Sequence, residues 1–289
     1  MKRIGYLFFS LLAFPIIIMS QYAKTKFDVM GDKEIDSGTI SIYYNFHQID
    51  STRLNNDGTY KRFDIQRLEV GNNISKYYSY VLYDNDVKAK EWVKKNKSAG
   101  SIPIWHTTLA GQTLWSEYIR MVIIKDFSTN LLDEYIQMQV GMNPDYHYTE
   151  NIPSQQWEVS EDTMIVAGYL CQKAICHFRG RDFVAWFTPE IPINNGPWKF
   201  GGLPGLIMKI YDKDEIFVYE CVKVEQSDFK IYMPDFSKYS KVTENNKGKL
   251  KQLIKLSHED WVKASGARSL SNPSKSFKSE YTYRPLELE

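Results

Sequence analysis

From Gly38 the run GTISIYYNFHQI sets Ile40, Ile42, Tyr44 and Phe46 against Thr39, Ser41, Tyr43 and Asn45, the two-residue period of a strand with one buried face. A turn cluster at Asn55, Asn56, Asp57 and Gly58 sends residues 60–70 back as a second strand, and the β-branched and aromatic run at 74–83 makes a third. The period then changes. VKAKEWVKKNK (87–97) reads as a short basic helix capped by Asp84 or Asp86, with Val87, Trp92 and Val93 as its apolar contacts. Its lysines read as a solvated face, with an anionic partner as the alternative. Residues 100–115 fit loop or helix equally. Alternation returns at Glu117, where EYIRMVIIKDF and LLDEYIQMQV flank a Ser-Thr-Asn turn as a hairpin, and extended pieces follow around 146–149 and 155–159. Residues 164–178 read as one strand, turned by 179–182 so that 183–188 comes back. Residues 206–211 and 216–224 pair across the polar turn DKDE. Over 244–264, Leu250, Leu253, Ile254 and Trp261 recur at helical spacing. The lysines of that helix face solvent or, alternatively, anionic lipid headgroups or lipopolysaccharide.

These elements predict a mainly β chain: a curved antiparallel sheet or half-open barrel carrying one or two helices against its concave face or edge. Nothing alternates as βαβ, and no linker splits the chain, so a single domain is read over residues 21–289. Residues 21–36 read as irregular, 265–280 as mobile, and YTYRPLEL (281–288) as apolar enough to dock. Ahead of them, Lys2 and Arg3 precede an apolar run from Ile4 to Met19 and then Ser20 and Gln21, the layout of a secretory signal peptide over residues 1–20. The competing reading, a transmembrane anchor, needs about 20 apolar residues without the interruption of Pro15. Loss of the leader takes Lys2 and Arg3 from 36 basic residues against 35 acidic ones and leaves a net charge of about −1. A near-neutral chain lacks the basic face that displaces counterions from nucleic acid. The expected localisation is the periplasm or the outer membrane, without integral membrane insertion.

Export admits disulfides, but the three cysteines, Cys171, Cys176 and Cys221, are an odd number. On one extended strand Cys171 and Cys176 lie roughly 16 Å apart on opposite faces and cannot bond each other. That leaves Cys171 or Cys176 with Cys221, Cys171 being preferred, or three small buried hydrophobes.

Tests for chemistry return little. The histidines are scattered, with no HExxH, HxH or CxxC, and neither GxSxG nor SxxK occurs. Asp133 and Glu134, adjacent in sequence, diverge and do not form an acid/base pair. No cofactor, metal ligand set or catalytic residue is assigned. A hydrolase with sequence-dispersed residues and a metal-binding protein stay as alternatives. The positive signal is WFTPEIPINNGPWKFGGLPGLIMKIY (186–211), where Pro189, Pro192, Pro197 and Pro204 fix φ while Gly196, Gly201, Gly202 and Gly205 free it. The order GGLPG matches neither phosphate-cradling fingerprint. A stiff loop that presents Trp186, Pro197, Trp198, Phe200, Leu203 and Leu206, with Lys199 at the rim and Gly202, Pro204 and Gly205 shaping it, reads as a site for an apolar ligand or protein partner. The competing reading is that the same aromatics plug the sheet and fix its core.

The string Gly168-Tyr169, Cys171, Phe178-Arg179-Gly180-Arg181, Ala185-Trp186, Gly196-Pro197-Trp198-Lys199-Phe200 and Gly202-Leu203-Pro204-Gly205-Leu206-Ile207 resembles the GLPGLI family of exported envelope proteins of Gram-negative bacteria, and Pro285–Glu289 is similar to its C-terminal pattern. Cys176 departs from it. The resemblance implies no activity, cofactor or catalytic residue. Similarity to periplasmic lipoprotein carriers is a fold analogy only. The function expected is a non-catalytic binding or accessory protein holding a lipid or an outer-membrane partner.

Overall fold

The alternating set of the first strand goes inward as its period requires: Ile42, Tyr44 and Phe46 are almost inaccessible to solvent. The computed structural model describes residues 31, 33–50, 60–98, 107–109, 112–114, 120–138, 145–260, 264 and 284–289. The expected leader at 1–20 and the tail at 265–280 lie outside them. Strands β1 (Lys33–Asp50), β2 (Tyr60–Gly71) and β3 (Ile74–Ser79) run into helix α1 (Tyr80–Lys95). A small hairpin of β4 (Thr107–Leu109) and β5 (Gln112–Leu114) precedes β6 (Arg120–Asp126), β7 (Leu131–Gln137) and β8 (Tyr146–Asn151). There follow β9 (Glu158–Val166), β10 (Tyr169–Phe178), β11 (Arg181–Thr188), β12 (Leu206–Asp212), β13 (Phe217–Met233), β14 (Ser240–Val242) and helix α2 (Glu244–Glu259).

Twelve strands form one open sheet in the order β14-β8-β7-β6-β3-β2-β1-β13-β12-β11-β10-β9. Only β14 against β8 is parallel among these pairs, so the antiparallel, curved-sheet expectation holds and the half-open barrel reduces to a sheet with two edges. Its spine is the β1–β13 ladder, which runs from Lys33 opposite Met233 to Gln48 opposite Phe217. One face carries the main core: Leu68, Ile123, Leu132, Ala185, Phe187 and Ile210 pack there with the first-strand set. We call this the inner face.

Several boundaries move, each for a physical reason. Residues 33–36, read as irregular, extend β1, because β13 runs longer than expected and supplies partners as far as Met233. The third strand stops at Ser79, whose hydroxyl accepts from Leu82 N at 3.2 Å and caps α1 before Asp84 or Asp86 is reached. That helix lies on the outer face, through Val81 against Tyr43 and Ile65. Residues 164–178 are not one strand: Ala167 (φ 49°) and Gly168 (φ 87°) make a two-residue turn between β9 and β10, the mirror-image turn that matches strand twist. Helix α2 is capped by Asn246 Oδ1, which accepts from Thr243 N at 2.7 Å, and its apolar stripe, Leu250 and Ile254, covers Ile136, Tyr148 and Val242 at one end of the inner face.

Candidate functional site

Between β11 and β12 the chain crosses the inner face as a series of tight turns. Ile193 N donates to Ile191 O, Asn195 N to Ile193 O and Gly205 N to Leu203 O, at 2.7 to 2.8 Å, three-residue turns of which two are centred on prolines, Pro192 and Pro204, whose fixed φ suits them. Phe200 N closes on Pro197 O at 3.1 Å. At the centre of that turn Trp198 takes φ +50°, which for a side chain with a Cβ costs about 1–2 kcal/mol. The indole is held there edge-on to Phe200 (centroids 5.2 Å) and Phe178 (6.0 Å). From β6, Lys125 Nζ donates to Asn195 Oδ1 at 3.0 Å and to Phe200 O at 2.6 Å. Lys125 is buried with no carboxylate among these partners, and burial lowers its pKa to about 7.

The lysine of the loop is at the centre of a buried ionic cluster. Lys199 Nζ lies 2.7 Å from Glu134 of β7, 2.9 Å from Glu150 of β8 and 2.7 Å from Glu287 of the strap formed by residues 284–289. Arg179 joins Glu150 and stands 3.6 Å from Glu287. Burial alone would lower the Lys199 pKa, but the surrounding carboxylates raise it instead. Burial likewise opposes ionisation of Glu150, and Lys199 and Arg179 overcome it, holding that carboxyl below its usual range. The β10–β11 turn clamps the strap from the other side: Arg181 donates to Leu286 O (3.1 Å) and Pro285 O (2.8 Å) while pairing with Asp212 (3.2 Å). Leu288 N closes on Arg179 O at 3.0 Å.

Beside this cluster, between the inner face, α2 and the strap, lies a cavity of about 400 Å³. Its wall is mainly apolar, including Met121, Ile136, Trp198, Phe217, Leu250 and Leu286. Lys247, Lys251, Lys255, His258 and Arg284 stand around it, and the Lys199, Glu134 and Glu287 side chains form its charged end.

Of the residues expected to present an exposed surface, Trp198 and Lys199 reach this cavity; the rest do not line it. Trp198 (3% exposed), Phe200 (0%), Leu203 (1%) and Leu206 (0%) are core, because the loop turns its aromatics down onto Phe178, Phe183 and the sheet rather than outward. Pro197 and Gly205 are buried, Gly202 and Pro204 are exposed, and Lys199 is buried rather than at a rim. Trp186 sits apart, paired with Lys209 across β12 and with Lys173 Nζ 5.9 Å from its ring. The bridge between Cys171 and Cys221 is not formed: all three cysteines are buried free thiols. An irregularity at Gln172 and Ala174 shifts the β10 phase, so Cys171 and Cys176 both turn inward rather than to opposite faces. Burial raises their pKa values, to about 11 for Cys171 and about 12 for Cys176 and Cys221.

A histidine, a carboxylate and a hydroxyl do converge on the outer face, where His147 Nε2 is 2.8 Å from Asp133 Oδ1 and 3.2 Å from Thr149 Oγ1. Thr149 donates to the same Asp133 oxygen at 2.6 Å. Both partners meet one ring nitrogen, so the imidazole cannot relay a proton from hydroxyl to ring to carboxylate as a nucleophilic triad does. Asp133 and Glu134 point to opposite faces, as strand alternation requires. Among the described residues no three His, Cys, Asp or Glu side chains gather to hold a metal ion, and no helix is long and apolar enough to cross a membrane.

The partners of Lys199 carried no sequence signal of their own, since Glu134, Glu150 and Glu287 stand far from it in sequence.

No curated protein matches the chain. The solved structures it resembles include PNGF-II in a P21 crystal form, at 13% identity over 75% of this chain and 33% of that one with a TM-score of 0.45, and PNGF-II in a C2 form, at 14% identity over 75% and 32% with a TM-score of 0.44. The chain thus spans about a third of the length of those structures. The family model matching residues 179–209, from the Arg179 clamp through the Lys199 loop into β12, is described as a protein of unknown function, Porph_ging.

Proposed function

We propose that the protein is a non-catalytic binding protein that holds an apolar ligand in the cavity between the inner face, α2 and the strap. The observation that carries this reading is the cavity itself, whose size and mainly apolar wall fit the range of small-ligand sites, roughly 300–1,000 Å³. A second supports it: Trp198, a wall residue, is kept in a costly backbone conformation, and such strain concentrates at functional sites. Burial of the loop aromatics favours an enclosed ligand over a protein partner docked on the loop. On the layout of residues 1–20 and the motif string around the loop, we take the chain to be an exported member of the GLPGLI family, acting in the periplasm or at the outer membrane.

The test uses the neutral apolar fluorophore N-phenyl-1-naphthylamine. The protein is expected to bind it with a stoichiometry of one and to lose it when Leu250→Trp fills the cavity without lowering the melting temperature. A wild-type protein that leaves the fluorophore unbound sinks the reading.

A further inference from the structure

The apolar wall accounts for the body of a ligand; the charges at the rim bear on its head. Lys247, Lys251 and Lys255 lie at four-residue intervals on α2, and all three line the cavity. At 1.5 Å per residue on one helical face, successive lysines are roughly 6 Å apart. Arg284 faces them from the strap. The carboxylates in the lining, Glu134 and Glu287, each stand 2.7 Å from Lys199 Nζ, which offsets part of their charge and leaves the four cations of the rim in excess.

Among the described residues no carboxylate side chain lies within 3 Å of the helix lysines: Lys247 Nζ donates to the neutral Tyr148 hydroxyl at 2.9 Å, Lys251 donates to the main-chain oxygen of Glu289, the last residue of the sequence, and Lys255 pairs loosely with Glu259 at 4.0 Å. A cationic rim beside an apolar hole is complementary to an anion that carries a tail, and it repels a cationic amphiphile. We propose that the cavity takes a single-chain amphiphile with an anionic head, its chain against Ile136, Trp198 and Leu250 and its head bonded by Lys247 and Lys251. This rests on the reading of the cavity as a ligand site.

Calorimetric titration of the whole protein with palmitate, hexadecanol and hexadecylamine, which share one chain length, separates the two ideas. Palmitate is expected to bind about tenfold or more tighter than hexadecanol, the gain of a charge-assisted pair of hydrogen bonds, and hexadecylamine weakest. The double variant Lys247→Gln/Lys251→Gln should bring palmitate down to hexadecanol and leave hexadecanol unchanged. Lys249→Gln, an exposed lysine of α2 outside the lining, should change neither. Hexadecyl phosphate run alongside distinguishes a phosphate head from a carboxylate one, and either order of affinity supports an anionic head. Equal binding of palmitate and hexadecanol overturns the head-group assignment while the cavity reading survives. An equal loss in Lys249→Gln overturns it too, since attraction to the whole helix would then explain the preference. If none of the amphiphiles binds, the cavity reading falls and this inference with it.

Discussion

Lys199 Nζ stands 2.7 Å from Glu287 Oε1 across 88 residues of sequence, and so fastens the turn-rich loop to the strap that closes the cavity. The same ammonium also contacts Glu134 and Glu150, so three carboxylates share Lys199 and Arg179 and the cluster stands or falls together. Removing one partner of a buried ionic group leaves an uncompensated charge and costs about 3–5 kcal/mol, whereas replacing the whole set costs far less. Lys199→Met is therefore expected to lose about that much in urea unfolding. Combining it with Glu134→Gln and Glu287→Gln should recover part of the loss. Strictly additive or worsening effects would mean that the cluster is not coupled as its geometry demands.

Two glycines with φ > 0 should respond in opposite ways. A Cβ on Gly205 would sit 2.2 Å from Thr188 O and 2.7 Å from its carbonyl carbon, both backbone atoms that cannot swing aside, whereas a Cβ on Gly168 meets nothing within 4 Å. Gly168→Asn suits a left-handed turn and should cost under about 1 kcal/mol. Gly205→Ala must move the β11 end and is expected to yield little soluble protein. Comparable melting temperatures for the two variants would contradict this.

Alternation located β1, β6 and β7, and turn signals at 55–58, 179–182 and 212–215 located β2, β11 and β12. The Ala167-Gly168 turn escaped notice because alanine is not a turn former and its positive φ is imposed by the flanking strands. Long-range convergence was invisible for a different reason. That Glu134 and Glu150 meet Lys199 depends on how far the sheet bends, a property of twelve strands together and of no local pattern. The aromatic loop was recognisable as shaped, but its direction was not: the same prolines and glycines serve a loop turned outward or down. Of the two readings of those aromatics, burial selects the plug, and only Trp198 and Lys199 retain a place on the candidate site.

That division gives a prediction. Leu203 is 1% exposed and does not line the cavity, whereas Trp198 does. Leu203→Ala should cost about 2–5 kcal/mol of stability, as buried leucines do, while leaving ligand affinity per folded molecule unchanged. Trp198→Ala should weaken both stability and retention of N-phenyl-1-naphthylamine. Loss of binding in fully folded Leu203→Ala would return that residue to the site.

Stability should pass through a maximum near pH 8, with two opposed groups on its flanks. Lys125 has a folded pKa lowered to about 7 by burial, against about 10.4 in an unfolded chain. Below pH 7 both states carry the proton and the cost of burying the charge is fully present. Between those values the unfolded chain binds more protons, so stability rises with pH, by up to about 1.4 kcal/mol per unit. The cysteines act in the other sense. Burial raises Cys171 to about 11 and Cys176 and Cys221 to about 12, against about 8.5 unfolded. Their contribution is complete below pH 8.5 and is lost as pH climbs towards the folded values, with three groups outweighing one lysine. Urea unfolding from pH 6.5 to 10 should therefore rise and then fall. Lys125→Met should flatten the rise, because the titrating ammonium is gone. Replacing the three cysteines by alanine should remove the fall between about pH 8.5 and 9.5, leaving only the later loss from buried tyrosines such as Tyr43, whose pKa burial raises to about 12. A wild-type curve that declines steadily from pH 6.5 would show that Lys125 is not titrating in the buried position where it holds Phe200 and Asn195.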